Sequence, residues 1–319
     1  MHIHFRKLVL GIPLAAAIGA VAPAARAEQE VTVYGVANFG GAGECGGGFS
    51  SHARHTTSAA NFRAPFDDLL AAGQWDECNT KNNLNARGQY FTDPAEGSAT
   101  SSSCCEGYQP STCNCEGKDE QAATGIDQGD VFFIHTHGGS THLDEAGNTA
   151  GVAFMGLQMG NESYDCRPRS HQDWEFGNGA AGDLEIAVIE ACQSMDYEVW
   201  DDGGHWLFSQ QTSTFTMFNA YHGNVSCSDA RTADIGDYAD ASVYNGVGDN
   251  WVDMMYDNSA AADGDDCPVS VVFGDTAALR DDMYNNGGWL DRKNTSTKDA
   301  STIYYIGGCD PSGGSVLPN

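Results

Sequence analysis

Positive charge is what this sequence has least of. Lys and Arg together number 15 against 44 Asp and Glu, which gives a formal net charge of -29 over 319 residues. Proteins hold nucleic acids and anionic membranes mainly through Lys and Arg side chains. The composition therefore predicts neither a nucleic-acid partner nor a membrane partner, and it favours an acidic surface that faces water.

Recognisable metal-binding motifs are missing as well. The run Asp263-Gly264-Asp265-Asp266 offers carboxylate oxygens but lacks the spacing of an EF-hand loop. Structural calcium is therefore an open alternative, and no other cofactor is predicted. Cys104, Cys105, Cys113 and Cys115 crowd a polar segment that contains no histidine and no paired Cys-x-x-Cys, so this segment predicts local disulfides rather than zinc.

Long apolar runs are absent after residue 27. Before that point a basic start at Arg6 and Lys7 precedes a stretch of apolar and small residues, and Ala25-Arg26-Ala27 fits a signal-peptidase site. We predict a signal peptide over residues 1–27 and a secreted or periplasmic mature chain. The 11 cysteines suit an oxidising compartment and predict disulfides. Because the count is odd, at least one thiol stays unpaired within the chain.

Predicted strands and helices alternate along the chain. This order is typical of an α/β fold with an open, mostly parallel sheet flanked by helices. We predict one domain over residues 28–319 with a Cys-rich polar insertion at 93–124. The predicted strands are 31–36, 130–137, 151–159, 184–189, 212–221, 268–273 and 302–306; the predicted helices are 61–72, 277–284 and 235–256, the last broken near Gly246 and Gly248.

Two of the predicted strands end on reactive side chains. The apolar run Leu184–Ile189 stops at Glu190-Ala191-Cys192, and the run that begins at Asp130 ends on His137-Gly138. In open α/β sheets, ligands and catalytic groups gather at the carboxyl ends of the strands. A thiol and an imidazole at neighbouring strand ends can act as a nucleophile and its proton-transfer partner.

This pair of strand ends resembles the caspase-like cysteine peptidases, which include caspases, gingipains, clostripain and legumain. Caspases carry Q-A-C-[RQG]-G, with a histidine about 50 residues upstream. Here the matching segment is Glu190-Ala191-Cys192-Gln193-Ser194, and His137 lies 55 residues before Cys192. Glu190 and Ser194 depart from the caspase pattern. The segment is also similar to uncharacterised secreted bacterial proteins that have the same two strand ends.

The resemblance implies a secreted cysteine endopeptidase that acts on peptides or proteins. Cys192 would attack the peptide carbonyl, and His137 would protonate the leaving amine and keep the thiol ionised, so that Cys192 alkylates faster than an ordinary buried cysteine. The backbone N–H groups of Gly138 and Cys192 would hold the oxyanion, at about 3 kcal/mol per donor. No third catalytic residue is implied. The acidic residues after the cysteine favour a basic residue before the cut; they are Asp196, Glu198, Asp201 and Asp202. The sequence does not indicate an oligomeric state.

Two other functions remain open from the residues alone. His135 and His137 form a His-x-His pair on one strand face, as in some metal-dependent hydrolases. Further ligands would come from His142 and Asp144, or from His171, His205 and His222. Alternatively, the chain is a non-catalytic extracellular binding module of the same fold. Cys192 itself is either one half of a disulfide or the odd thiol, and we predict the odd thiol because ten cysteines can pair.

Overall fold

A computed structural model of the chain describes residues 29–38, 51–83, 86, 125–142, 149–153, 176–177, 183–197, 214–258, 264–292, 298 and 300–319. The predicted signal peptide at 1–27 and the predicted Cys-rich insertion at 93–124 lie outside these residues. Among the helices described, none has both the length and the apolar character needed to cross a membrane.

A seven-stranded sheet forms the centre of the fold. Its strand order is β2-β1-β3-β6-β7-β8-β9; the five strands from β2 to β7 run parallel, and β8 runs antiparallel to both its neighbours. A separate hairpin, β4–β5, follows β3 directly. The strands are β1 (Glu30–Gly35), β2 (Glu77–Asn82), β3 (Val131–His135), β4 (Gly138–His142), β5 (Thr149–Ala153), β6 (Ile186–Glu190), β7 (Met217–His222), β8 (Cys267–Gly274) and β9 (Ala300–Tyr305). The predicted α/β class and mostly parallel sheet are therefore confirmed.

The central strands are buried on both faces. Along β3, for example, Phe132 and Ile134 enter one apolar cluster, while Val131 and Phe133 enter the cluster on the opposite face. All five residues of β3 and of β6 are buried. Parallel strands covered on both sides read as continuous apolar runs, which is why these two strands were visible in the sequence.

The four helices that the structure describes pack on one face of the sheet. They are α1 (Ala53–Ala71), α2 (Asp229–Ala241), α3 (Val247–Met255) and α4 (Ala277–Asn286), and each contributes side chains to the same apolar cluster. In that cluster the ring of Phe62 stacks on Phe133 with centroids 4.2 Å apart. The predicted break in the helix at 235–256 occurs at Gly246, whose φ of +71° suits glycine.

Several predicted element boundaries differ from the structure, and two of these lie beside the cleft described below. Helix α1 begins at Ala53 rather than at residue 61, because its first turns bury His55, Ser58 and Ala59, which are polar or small and give no apolar periodicity. The strand predicted over 130–137 ends at His135, because the β4–β5 hairpin starts at Gly138.

The topology sets the place of the site. From β1 the chain passes through α1 to β2 on one side, whereas β3 lies on the other side of β1. The strand order thus reverses between β1 and β3, and ligands of open α/β sheets bind beside such a point, outside the carboxyl ends of the strands. The strands β1, β3, β6 and β7 are parallel, so their carboxyl ends meet at this edge.

Candidate active site at the carboxyl edge of the sheet

A cleft of roughly 660 Å³ opens at the carboxyl edge of the sheet. It contains all three residues that the sequence predicted for catalysis and oxyanion binding, namely His137, Gly138 and Cys192. Its lining consists of His52, His55, His135, Thr136, His137, Gly138, Cys192, Asn224, Val225, Ser226, Cys227, Ser228, Asp266 and Ser312.

The sheet register places His137 and Cys192 at the same level. Strands β3 and β6 are neighbours, and His135 pairs with Glu190 at their ends. His137 and Cys192 each lie two residues beyond that pair. The backbone N–H of Thr136 donates to the carbonyl of Glu190 at 3.1 Å, so the pairing continues one step past the strands.

Gly138 packs directly against the backbone of Cys192. A Cβ added at Gly138 would lie 2.2 Å from the Cys192 carbonyl oxygen, 2.8 Å from the Cys192 nitrogen and 2.7 Å from the Cβ of Ala191. Only glycine allows this approach. In the described part of the chain the Cys192 N–H donates no hydrogen bond. Two backbone amides therefore lie side by side at the point where the resemblance implies an oxyanion hole.

The sulfur of Cys192 contacts the loop that follows β7. The backbone N–H of Val225 donates to Cys192 Sγ at 3.4 Å, and Sγ lies 3.7 Å from the Val225 carbonyl oxygen. Burial raises the pKa of the Cys192 thiol above its ordinary value. The expected stabilisation of a thiolate by imidazolium is therefore not seen in this state, and the thiol is protonated at neutral pH.

The turn after Cys192 has an unusual backbone. Gln193 has a φ of +54°, in the left-handed region that residues other than glycine seldom occupy. Its N–H donates to the carbonyl of Gly223 at 2.6 Å, and its side chain donates to the carbonyl of Gly313. Such strained residues concentrate at functional sites. This turn directly follows Cys192 and ties it to the loop after β7 and to Gly313.

Four histidine rings gather on the β1–β3 side of the cleft. His55 lies 4.2 Å from His135 and 5.2 Å from His137 between ring centroids, and His52 lies 5.4 Å from His137. Burial, followed by repulsion from the neighbouring imidazoles, lowers the pKa of His55 to about 2 and that of His135 to about 3. Both rings are therefore neutral at physiological pH.

Glu190, two residues before Cys192, faces His135. Its Oε2 lies 3.0 Å from His135 Nδ1, and both side chains are buried. This short contact lacks the geometry of a hydrogen bond. Among the described residues, neither His135 Nδ1 nor either Glu190 oxygen has a hydrogen-bond partner. Burial raises the pKa of Glu190 to about 8. At neutral pH both groups are therefore uncharged.

The far wall of the cleft is the loop between β7 and α2. Asp266 fixes it, since Asp266 accepts hydrogen bonds from the backbone N–H of Ser226 at 2.8 Å and from the Ser226 hydroxyl at 2.6 Å. Arg231 forms a buried ion pair with the same carboxylate. Cys227, the next residue in this loop, has a free thiol. Its sulfur and one ring nitrogen each of His55 and His135 all lie within 4.8 Å of one another.

The segment at residues 312–315 completes this wall. The N–H of Asn224 donates to the carbonyl of Ser312 at 2.7 Å, and its side-chain amide donates to the Ser312 hydroxyl at 2.9 Å. His222 lies below the wall, where Nδ1 accepts a hydrogen bond from the N–H of Tyr197 at 3.0 Å and Nε2 donates to the carbonyl of Ser315. His222 is absent from the cleft lining and serves to hold these segments together.

Several residues considered from the sequence have other places. Asp144, His171, His205, Glu198, Asp201, Asp202 and the side chain of His142 lie outside the described residues. Asp196 is buried and accepts a hydrogen bond from the N–H of Gly223 at 2.8 Å, so it supports the loop instead of facing a substrate.

The five cysteines that the structure describes fall into two groups. Cys267 and Cys309 form a disulfide. Cys192 is free, but so are Cys78 and Cys227, and the argument that ten cysteines pair and leave Cys192 as the odd one is therefore wrong. Cys227 faces buried histidines, and Cys78 sits on the edge strand β2.

Three residues of the cleft were missed from the sequence: His52, His55 and Cys227. The first two form a His-x-x-His pair at the start of α1, and that spacing places them on one side of a helix end. Cys227 follows a buried strand and precedes Ser228, whose side chain caps α2 by accepting from the N–H of Arg231. Each is an ordinary local pattern, and only the fold brings them together.

The chain matches no protein-family model and no curated protein, so its chemistry has to be inferred from the residues of the cleft.

Proposed function

We propose that the protein is a secreted cysteine endopeptidase of caspase-like type, with Cys192 as nucleophile and His137 as general acid. The observation that supports this most is the packing of Gly138 against the backbone of Cys192 in an open cleft. It brings the His-Gly strand end against the Ala-Cys strand end, and this supports an oxyanion hole made of the Gly138 and Cys192 amides. A buried structural cysteine would require no such arrangement.

The reaction follows from these positions. The thiol proton passes to His137 as Cys192 Sγ attacks the carbonyl carbon of a bound peptide. The N–H groups of Cys192 and Gly138 hold the oxyanion of the tetrahedral intermediate. His137 then gives its proton to the leaving amine, the C–N bond breaks, and a thioester remains on Cys192. Water attacks the thioester, which releases the carboxylic acid and restores the thiol.

Because the pKa of Cys192 is raised, the thiol would lose its proton only when substrate is bound. Because the free thiol is protonated, the resting cleft holds no thiolate–imidazolium pair. Hydrogen bonds in empty active sites are often long and tighten only when substrate binds. Proton transfer to His137 would thus accompany the attack.

The test uses a panel of unstructured proteins and short peptides that differ at the residue before the cut. We expect Cys192→Ala and His137→Ala to abolish cleavage, and Cys78→Ala to leave it unchanged. Cys78 is a matched control, because it is also free and half-buried but lies at the amino end of β2, at the opposite edge of the sheet. Cleavage that survives Cys192→Ala would refute the proposal.

The same panel separates the two alternatives. Hydrolysis that survives Cys192→Ala and is lost on chelation would favour the metal-dependent hydrolase. Folded protein that cleaves nothing across the panel would favour the binding module.

A further inference from the structure

We propose that His55, His135 and Cys227 form a binding site for one Zn²⁺ ion, with a fourth coordination position open to the cleft. The three side chains come from α1, from the end of β3 and from the loop after β7. Their donor atoms already lie within 4.8 Å of one another. The proposal does not depend on peptidase activity, because it uses neither Cys192 nor His137 as a ligand.

His55 is held in the tautomer that a metal needs, and His135 has a carboxyl group behind its Nδ1. Nδ1 of His55 lies 2.6 Å from the carbonyl oxygen of Val36, which only accepts, so this nitrogen carries the proton and Nε2 carries the lone pair. Nδ1 of His135 faces Glu190 at 3.0 Å. A carboxylate or carbonyl behind the second ring nitrogen is the usual support of a metal-bound histidine.

Glu190 supports this assignment through its position. It is a fully buried carboxyl group, and neither of its oxygens completes a hydrogen bond in the described part of the chain. A buried polar group without such a partner is costly. A metal-bound His135 would carry its proton on Nδ1 and so offer Glu190 a donor. Glu190 and His135, which pair at the ends of β6 and β3, are thus parts of one arrangement.

The distances suit zinc with a small adjustment. Zinc bonds of about 2.0–2.3 Å in a tetrahedral arrangement set neighbouring donor atoms roughly 3.5 Å apart. The donor atoms, which lie within 4.8 Å of one another, must therefore close by up to about 1.3 Å, and the half-buried Cys227 side chain has the most freedom to rotate. A His₂Cys set also occurs in copper proteins, where a weak methionine ligand completes it. None of the described residues that line the cleft is methionine, which favours zinc.

The location agrees with this assignment. His55 bonds to the residue after β1, and His135 ends β3, so the site lies where the strand order reverses. His137 and Cys192 line the same cleft. The open coordination position therefore faces the volume that a substrate would occupy.

Metal content and spectra test the proposal in the full chain. We expect dialysed protein to bind one Zn²⁺ in competition with a chromophoric chelator, and Co²⁺ to give a thiolate-to-cobalt charge-transfer band. Cys227→Ser should weaken zinc binding at least 100-fold and remove the band, while the matched variant Cys78→Ser should keep both. Glu190→Gln should weaken binding about 10- to 100-fold, as expected for a residue that orients a ligand.

The Cys192→Ala variant makes the two proposals separable. It should lose peptide cleavage yet keep zinc binding and the cobalt band. Equal zinc affinity in Cys227→Ser and in the parent would overturn the metal site and leave the peptidase proposal standing. If the parent protein binds zinc but cleaves no substrate, the peptidase proposal is overturned and the metal site stands. Circular dichroism shows whether each variant is folded. If Glu190→Gln unfolds, Cys227→Ser still tests the metal site, because it replaces one sulfur atom by oxygen.

Discussion

Replacement of Gly138 by alanine tests the contact on which the proposed active site depends. The added methyl carbon would lie 2.2 Å from the Cys192 carbonyl oxygen and 2.8 Å from its nitrogen, whereas real Cβ contacts essentially never fall below 3.0 Å. The neighbours are backbone atoms and the Cβ of Ala191, so no flexible side chain can move aside. The two strand ends must separate by about 0.8 Å.

The expected cost has two parts. Overpacking of this kind destabilises a protein by about 1–3 kcal/mol. A displacement near 1 Å at a catalytic group lowers the rate by roughly 100-fold. We therefore expect Gly138→Ala to lower the free energy of unfolding by about 1–3 kcal/mol, measured by urea titration. We also expect it to lower kcat/KM for peptide cleavage by about two orders of magnitude.

Gly274→Ala provides the control for this substitution. Gly274 is the last residue of β8, and a Cβ there has one tight neighbour, Arg280 Cγ at 3.1 Å, on a side chain that can shift; Leu279 lies at an ordinary 3.7 Å. Its free energy of unfolding should stay within about 0.5 kcal/mol of the parent. If Gly138→Ala matches this control in urea and in the alkylation rate of Cys192, the two strand ends do not touch and the reasoning fails.

Two further predictions concern the cysteines. Joint replacement of Cys267 and Cys309 by alanine removes a crosslink that spans 42 residues, and should lower the free energy of unfolding by about 4 kcal/mol, measured in urea; a loss below 1 kcal/mol would contradict it. Because burial raises the pKa of Cys192, its alkylation by iodoacetamide, mapped by mass spectrometry, should accelerate about tenfold per pH unit from pH 7 to beyond pH 9. A plateau below pH 8 would instead mean that a nearby cation holds the thiolate.

The sequence revealed the sheet better than the cleft. Strands β3 and β6 are apolar throughout, so their ends at His135 and Glu190 were visible within a few residues, and with them His137 and Cys192. The apolar pattern of a strand does not indicate which residues from distant parts of the chain the fold places beside that strand. His55 lies 80 residues before His135 and enters the cleft only because α1 packs over β1 and β3.

Two departures from sequence reasoning have physical causes. Glu190 was visible as a mismatch to the caspase pattern, but its meaning required the 3.0 Å contact with His135, which depends on strand register. The cysteine count suggested one free thiol, whereas the structure has three among the described residues. Pairing depends on distance in space, and a count carries no distances.

The wall built by Ser312 and its neighbours affects the order in which the site can form during synthesis. Asn224 and His222 each form a hydrogen bond to this segment, and so does the side chain of Gln193, the residue after Cys192. Translation proceeds from the N-terminus, and residues 312–315 leave the ribosome after every other part of the cleft. Until then the loops that carry Cys192 and Cys227 lack their last partner. A nascent chain is therefore expected to hold its sheet before its cleft is complete, and if the proposed peptidase activity holds, this delay separates synthesis from activity.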